Sequence, residues 1–271
     1  MNLFERFVNF FDYDASVPKI YSWYHLLCVA LVITAVILLW RFCGNCSDKV
    51  FRRIILISWA AMVCTEIMKQ LVFSFDFDGV TASWDFPWYS FPFQLCSTPL
   101  YVLPFVAFLK DSPVRDGILI YMATFSFFGG LAVYAYPEQV FVETLFINFQ
   151  TMLHHGIQLV IGAFIVIRYK EKFTKKCHLY SCGVFLALCA TALFLNILFY
   201  NTFIRAIDET FNMFYFSPYF DCTLPVLSLF SEKIPYIVFL LIYILGFSFI
   251  SLVIFWVEKK FINLSKKRKA A

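Results

Sequence analysis

The 271-residue chain is 61% hydrophobic, 21% aromatic and only 15% charged, with a formal net charge of +4 at pH 7. An ordinary soluble domain carries about 25% charged residues, so a water-soluble monomer is excluded. The small surplus of 22 Lys and Arg over 18 Asp and Glu bears on membrane topology rather than on nucleic acid, and no nucleic-acid partner is expected.

Residues 1–20, MNLFERFVNFFDYDASVPKI, place Asp12 and Asp14 ahead of the first apolar run and offer no small-residue cleavage site. They are expected to stay on the chain as an interfacial segment. Apolar stretches bounded by charges or Pro/Gly clusters follow at 21–40, 54–73, 88–109, 118–135, 146–166, 182–200 and 236–257. Each approaches the ~20 residues that a membrane-crossing helix needs. The expected fold is all-α, a polytopic membrane protein forming a seven-transmembrane-helix bundle over 21–257, with a basic tail at 258–271. No internal repeat or Gly/Ser linker suggests a second domain.

Basic residues divide unevenly between the alternate connections. The loops after the first, third and fifth runs and the tail hold seventeen: Arg41, Lys49, Arg52, Arg53; Lys110, Arg115; Arg168, Lys170, Lys172, Lys175, Lys176; and Lys259, Lys260, Lys266, Lys267, Arg268, Lys269. The opposite set holds four, Arg6, Lys19, Arg205 and Lys233. The positive-inside rule puts the N-terminus outside and the C-terminus in the cytoplasm. The KKRK tail reads as a stop-transfer cluster that can also meet anionic headgroups.

Within the apolar runs, ionisable and strongly polar residues are costly and mark candidate function. Glu66 and Lys69 lie three apart on the second run, share a helix face and can neutralise each other. The third run opens WDFPWYSFPFQLCSTPLY, with Cys96 just beyond Pro92 and Gln94. Oriented N–H groups at a helix N-terminus are one standard means of activating a sulfur nucleophile. The fifth run opens INFQTMLHHGIQLVIG, bringing His154, His155, Gln150, Thr151 and Gln158 to a similar depth. Spacing leaves open which histidine faces Cys96. Glu66, Cys96 and the histidine pair thus converge at one expected level on three runs, with the residue types of a nucleophile, base and orienter.

Other features carry less. Cys43-Gly-Asn-Cys46 and Cys177-His178 have residue types suited to zinc, but a single CxxC is weak and reduced surface thiols are the simpler reading. The remaining cysteines fall mostly in apolar runs, where Cys packs as a small hydrophobe. His25 has no motif around it. No metal site and no cofactor are expected, since no GxGxxG or Walker A pattern is present.

At FPFQLCSTPL, FFGGLAVYAYP and the later HHG, the sequence resembles the YwaF-type integral membrane family, whose vertebrate relative is described as a cysteine-centred phospholipid acyltransferase. The resemblance spans most of the chain and extends loosely to Asn212–Pro218. It implies a lipid acyltransferase with Cys96 as nucleophile and His155, the histidine before glycine, as base, with His154 and Glu66 as further catalytic candidates and Gln94, Gln158 and Thr151 near the substrate. Bacterial members often carry His where this chain has Gln94. Phospholipid or lysophospholipid is the implied substrate, membrane lipids are the expected surroundings, and a bacterial cell membrane is the expected location. The alternative reading is a polytopic transporter or channel with a polar path near Glu66 and His154/His155. A seven-helix receptor shares the topology, although the absence of Lys from 236–257 disfavours a retinal Schiff base.

Overall fold

The structure is a computed structural model describing residues 1–270; the side chains at 266 and 268–270 lie outside the described residues, and with them Lys266, Arg268 and Lys269 of the expected basic tail. The chain is all-α apart from one short hairpin. Six helical stretches among the described residues are long and apolar enough to cross a membrane: Trp23–Cys43, Asp48–Ser74, Pro113–Ala135, Leu145–Arg168, Lys175–Ile207 and Tyr236–Ser265.

Helix α1 (Leu3–Phe11) begins with a capping box, in which Asn2 accepts from the Glu5 amide and Glu5 accepts from the Asn2 amide. Its one buried side chain, Val8, packs on Val72 and Ile147, while Leu3, Phe4, Phe7 and Phe10 are exposed. Helix α2 (Trp23–Leu38) runs into a π turn, Leu39–Cys43. Helix α3 (Asp48–Ser74), capped by Ser47, ends in the antiparallel hairpin β1 (Phe75–Phe77) and β2 (Ala82–Trp84). The hairpin turns at Gly79, whose φ of +88° a side chain rarely tolerates.

The third expected run does not form one continuous helix. It comprises a 3-10 turn at Trp88–Ser90, extended backbone at Phe91 and Gln94, a second 3-10 turn at Leu95–Ser97 and helix α4 (Pro99–Phe108). Proline accounts for the break at its start: Pro92 lacks a backbone donor and Phe91 before it is held out of helical geometry, whereas Pro99 takes the first position of α4 with Thr98 before it helical. The ten residues of α4 rise only about 15 Å, half of a ~30 Å hydrocarbon core. Among the described residues this leaves six continuous helices long and apolar enough to cross a membrane and one broken segment.

Helix α5 (Pro113–Tyr121), a π turn at Met122–Ser126 and α6 (Phe127–Ala135) form one continuous rod. Helix α7 (Leu145–Arg168) follows; its polar residues Asn148, Gln150, Thr151, His154, His155 and Gln158 are all buried. Helix α8 (Lys175–Phe199) continues through a π turn, Tyr200–Ile204, into the short α9 (Arg205–Ile207). Helix α10 (Tyr236–Ala270) passes through residue 258 without a break.

The connections meet at two ends. Ala15 donates to Glu143, Leu145 to Tyr13 and Gln94 to Asn212, so residues 13–15, 94, 143–145 and 212 share one end. At the other, Arg168 bonds the Cys46 carbonyl and Asp48, and Lys172 pairs with Asp116 at 2.8 Å. Between them the core is aromatic. Phe125 stacks on Tyr121 and Phe185 with ring centroids 5.4 and 4.5 Å away.

Helix α6 approaches α7 closely through glycine. A Cβ on Gly130 would stand 2.7 Å from the His155 carbonyl oxygen and 3.0 Å from Leu159 Cγ, and a Cβ on Gly156 would meet the Tyr134 hydroxyl at 2.6 Å. These are the glycines of the FFGG and HHG strings, and their job is packing. Gly130→Val is expected to force α6 away from α7 and to destabilise the fold by about 1–3 kcal/mol; a lowered thermal midpoint in detergent checks this.

Candidate functional site

Cys96 lies in the broken segment, inside the Leu95–Ser97 turn that feeds α4. Such irregular backbone among spanning helices is tolerated where protein or a polar cavity satisfies it. Here α7 supplies the partners. His154 Nε2 donates to the Cys96 carbonyl at 3.0 Å, and Gln158 Nε2 donates to the same oxygen at 2.8 Å. The side chains at 154 and 158 stand one helical turn apart on one face, so they grip a single acceptor together.

The adjoining histidine is set differently. His155 Nδ1 lies 2.8 Å from the Thr151 carbonyl on its own helix. A carbonyl can only accept, so Nδ1 carries the proton and Nε2 presents a lone pair. By the same reasoning His154 is protonated on Nε2, and its bare Nδ1 is buried without a partner. His155 Nε2 has no hydrogen-bond partner among the described residues, and the ring lines a cavity of about 240 Å³.

That cavity joins α3, the broken segment, α7 and the loop that follows α9. Glu66, Lys69, Gln94, Cys96, Ser97, Thr151, His154, His155 and Tyr215 contribute to its wall. The sequence candidates therefore meet in one space, apart from Gln158, which holds Cys96 from behind without lining the cavity.

Glu66 pairs with Lys69 at 2.7 Å, as their spacing predicts. Its Oε1 also accepts from Gln70 at 2.8 Å, and its Oε2 accepts from Gln150 at 3.0 Å. Both oxygens are thus committed to Lys69, Gln70 and Gln150, so the structure gives Glu66 no hydrogen bond to either imidazole. It ties α3 to α7 and fixes Lys69 at the cavity wall.

Gln94 is occupied as well. Its Nε2 donates to the Asn212 carbonyl at 3.0 Å and its Oε1 accepts from the Phe214 amide at 2.7 Å. Sequence reasoning missed Tyr215 and Ser90 as wall residues. The loosely matching Asn212–Pro218 string was the available signal for Tyr215.

The remaining sequence candidates are structural. His25 is fully buried, accepting from the Tyr21 amide at 3.1 Å and bonding the Tyr134 carbonyl at 3.0 Å. His178 faces Ser251 at 3.2 Å. Among the described residues no group of three or more His, Cys, Asp and Glu is placed to hold a metal ion.

Residues 20–258 match the TMEM164 family, an integral membrane family. The chain belongs to the TMEM164 family. With six apolar helices among the described residues, this member is an integral multi-pass membrane protein in contact with membrane lipids. No match was found among curated proteins or among solved structures. The family match runs through every element of the cavity, from α3 to the loop carrying Tyr215.

The buried Glu66–Lys69 pair should behave asymmetrically. Removing one partner strands the other charge at a cost of about 3–5 kcal/mol, whereas replacing both with neutral groups is close to neutral. Lys69→Met is therefore expected to lower the thermal midpoint strongly, and Glu66→Gln combined with Lys69→Met to recover most of the loss; melting curves of the two proteins in one detergent decide it.

Proposed function

We propose that this protein is a membrane-embedded lipid acyltransferase in which Cys96 carries an acyl chain between phospholipids as a thioester. The observation that supports this reading is the single cavity into which Cys96 and both histidines are gathered, with His155 Nε2 unpartnered and oriented through its Nδ1 bond to Thr151. The resemblance to the YwaF-type family points the same way.

The chemistry follows from the tautomers. His155 Nε2 takes the Cys96 thiol proton; the thiolate sulfur bonds to the carbonyl carbon of a phospholipid ester, and the ester C–O bond breaks. The departing lysophospholipid oxygen receives the proton held on Nε2. In the second half the hydroxyl of an acceptor lysophospholipid gives its proton to the same nitrogen and attacks the thioester, restoring the thiol. His154 and Gln158 hold the Cys96 backbone while sulfur changes partners, Glu66 acts through Lys69 and Gln150, and Gln94 anchors the loop carrying Tyr215.

The topology in this proposal has seven crossings, with the broken 88–109 segment as the third. The N-terminus lies outside, residues 1–20 lie in the interface, and the basic tail lies in the cytoplasm, where seventeen of the Lys and Arg residues gather. The cavity then lies in the outer half of the membrane.

Intact mass spectrometry of purified protein after incubation with phospholipid tests the chemistry. The wild type is expected to gain the mass of one acyl chain, removable by hydroxylamine. Cys96→Ser should form no such thioester, and His155→Gln should form it about 10²–10⁴ times more slowly. A wild type that forms no Cys96 adduct with any phospholipid overturns the reading. For topology, Cys43 and Cys46 are expected to react with a membrane-impermeant maleimide only after cells are permeabilised; labelling of intact cells inverts the assignment.

A further inference from the structure

The loop following α9 breaks a local rule twice in succession. Phe214 has φ 60° and Tyr215 has φ 57°, so two adjacent aromatic residues occupy the left-handed region that glycine normally fills. Each such residue costs on the order of 1 kcal/mol or more and persists only where its surroundings over-determine it.

Three side-chain amides provide that restraint. Asn196 donates to the Met213 carbonyl at 3.0 Å and accepts from the Met213 amide at 2.7 Å. Gln94 brackets the Asn212 carbonyl and the Phe214 amide. Asn212 closes the far side, accepting from the Ser217 amide at 2.8 Å and donating to the Asp221 carbonyl at 2.9 Å. Phe214 is fully buried and stacks on Phe93 with centroids 5.8 Å apart, so packing accounts for Phe214. Tyr215 packs only partly against that core. The Tyr215 side chain lines the Cys96 cavity, and its hydroxyl has no hydrogen-bond partner among the described residues. The residue is half-buried, so the hydroxyl is free to meet whatever occupies the cavity.

We infer that Tyr215 is a catalytic hydrogen-bond donor whose hydroxyl stabilises the oxyanion formed when an acyl ester is attacked at Cys96; the inference rests on the acyl-transfer reading above. As the sulfur–carbon bond forms, the carbonyl π pair moves onto oxygen. The Tyr215 hydroxyl donates a hydrogen bond to that oxygen and keeps its proton. The π bond then re-forms and the ester C–O bond breaks, its oxygen taking the proton from His155 Nε2. The strained turn is well suited to this role, because a donor fixed before reaction needs no reorganisation while charge develops. Gln94, two residues before Cys96, locks the donor loop to the nucleophile's own segment.

The test compares wild type with Tyr215→Phe in two reactions at Cys96. Acylation by phosphatidylcholine in detergent micelles, followed by intact mass, builds charge on a carbonyl oxygen. Alkylation by iodoacetamide displaces iodide at a saturated carbon and builds none there. Tyr215→Phe is expected to slow acylation about 100-fold at unchanged half-saturating lipid, with the alkylation rate and thermal midpoint kept. Equal acylation rates overturn the inference. So does an equal loss in both reactions, which would mean that the ring merely shapes the thiol's surroundings. A wild type that is alkylated at Cys96 and never acylated overturns the acyl-transfer reading, and the role of Tyr215 falls with it.

Discussion

The site depends on one acceptor, the carbonyl oxygen of Cys96. It belongs to a single 3-10 turn between the break at Pro92 and the start of α4, set among apolar helices where bulk water does not readily satisfy it. Two donors from α7, His154 and Gln158, converge on it. An unmet buried carbonyl costs about 1–3 kcal/mol, so these bonds matter less as added attraction than as removal of a penalty that would otherwise pull the segment out of the bundle. Cys96 thus stays at the cavity wall with its backbone oxygen satisfied by α7.

The same device recurs in the 212–217 loop, where Asn196, Gln94 and Asn212 each satisfy backbone groups. Primary amides suit the task. One carboxamide both donates and accepts, so it can close on a peptide group as a strand would, and it brings no charge into a low-dielectric interior. The charged pair at the cavity, Glu66 with Lys69, is closed by two further amides from Gln70 and Gln150. A carboxylate with both oxygens committed is a poor candidate for tuning an imidazole, whatever its position along the membrane normal.

How far this was legible in the sequence differs between α3, α7 and the broken segment. The six continuous spans follow from run length, and Glu66–Lys69 from a spacing of three. The prolines of the broken segment are visible in the sequence, but a proline is tolerated at a helix start, where a first turn lacks partners anyway, so they do not by themselves announce a break. What hid it is that 88–109 is apolar throughout, and apolarity reports burial rather than backbone geometry. Helix spacing put Gln150, His154 and Gln158 on one face without disclosing that two of them grip a backbone oxygen. Tyr215 falls inside the loosely matching Asn212–Pro218 string, but its place at the cavity comes from a long-range amide contact, Gln94 to residues 212 and 214, that no local periodicity encodes.

The division of labour between the two histidines follows from the helix itself. Adjacent residues on an α-helix point about 100° apart, so His154 and His155 cannot both do one job. His154 is turned to the Cys96 backbone and buries its second nitrogen. His155 bonds back to the turn below, which leaves its distal nitrogen available to the cavity. Gly156 follows because α7 must admit the Tyr134 hydroxyl there, and seating that helix closely fixes the direction of the residue just before it. The HHG string is in this sense a single device: one histidine holds the Cys96 backbone, the next turns its free nitrogen to the cavity, and the glycine seats the helix carrying both against α6.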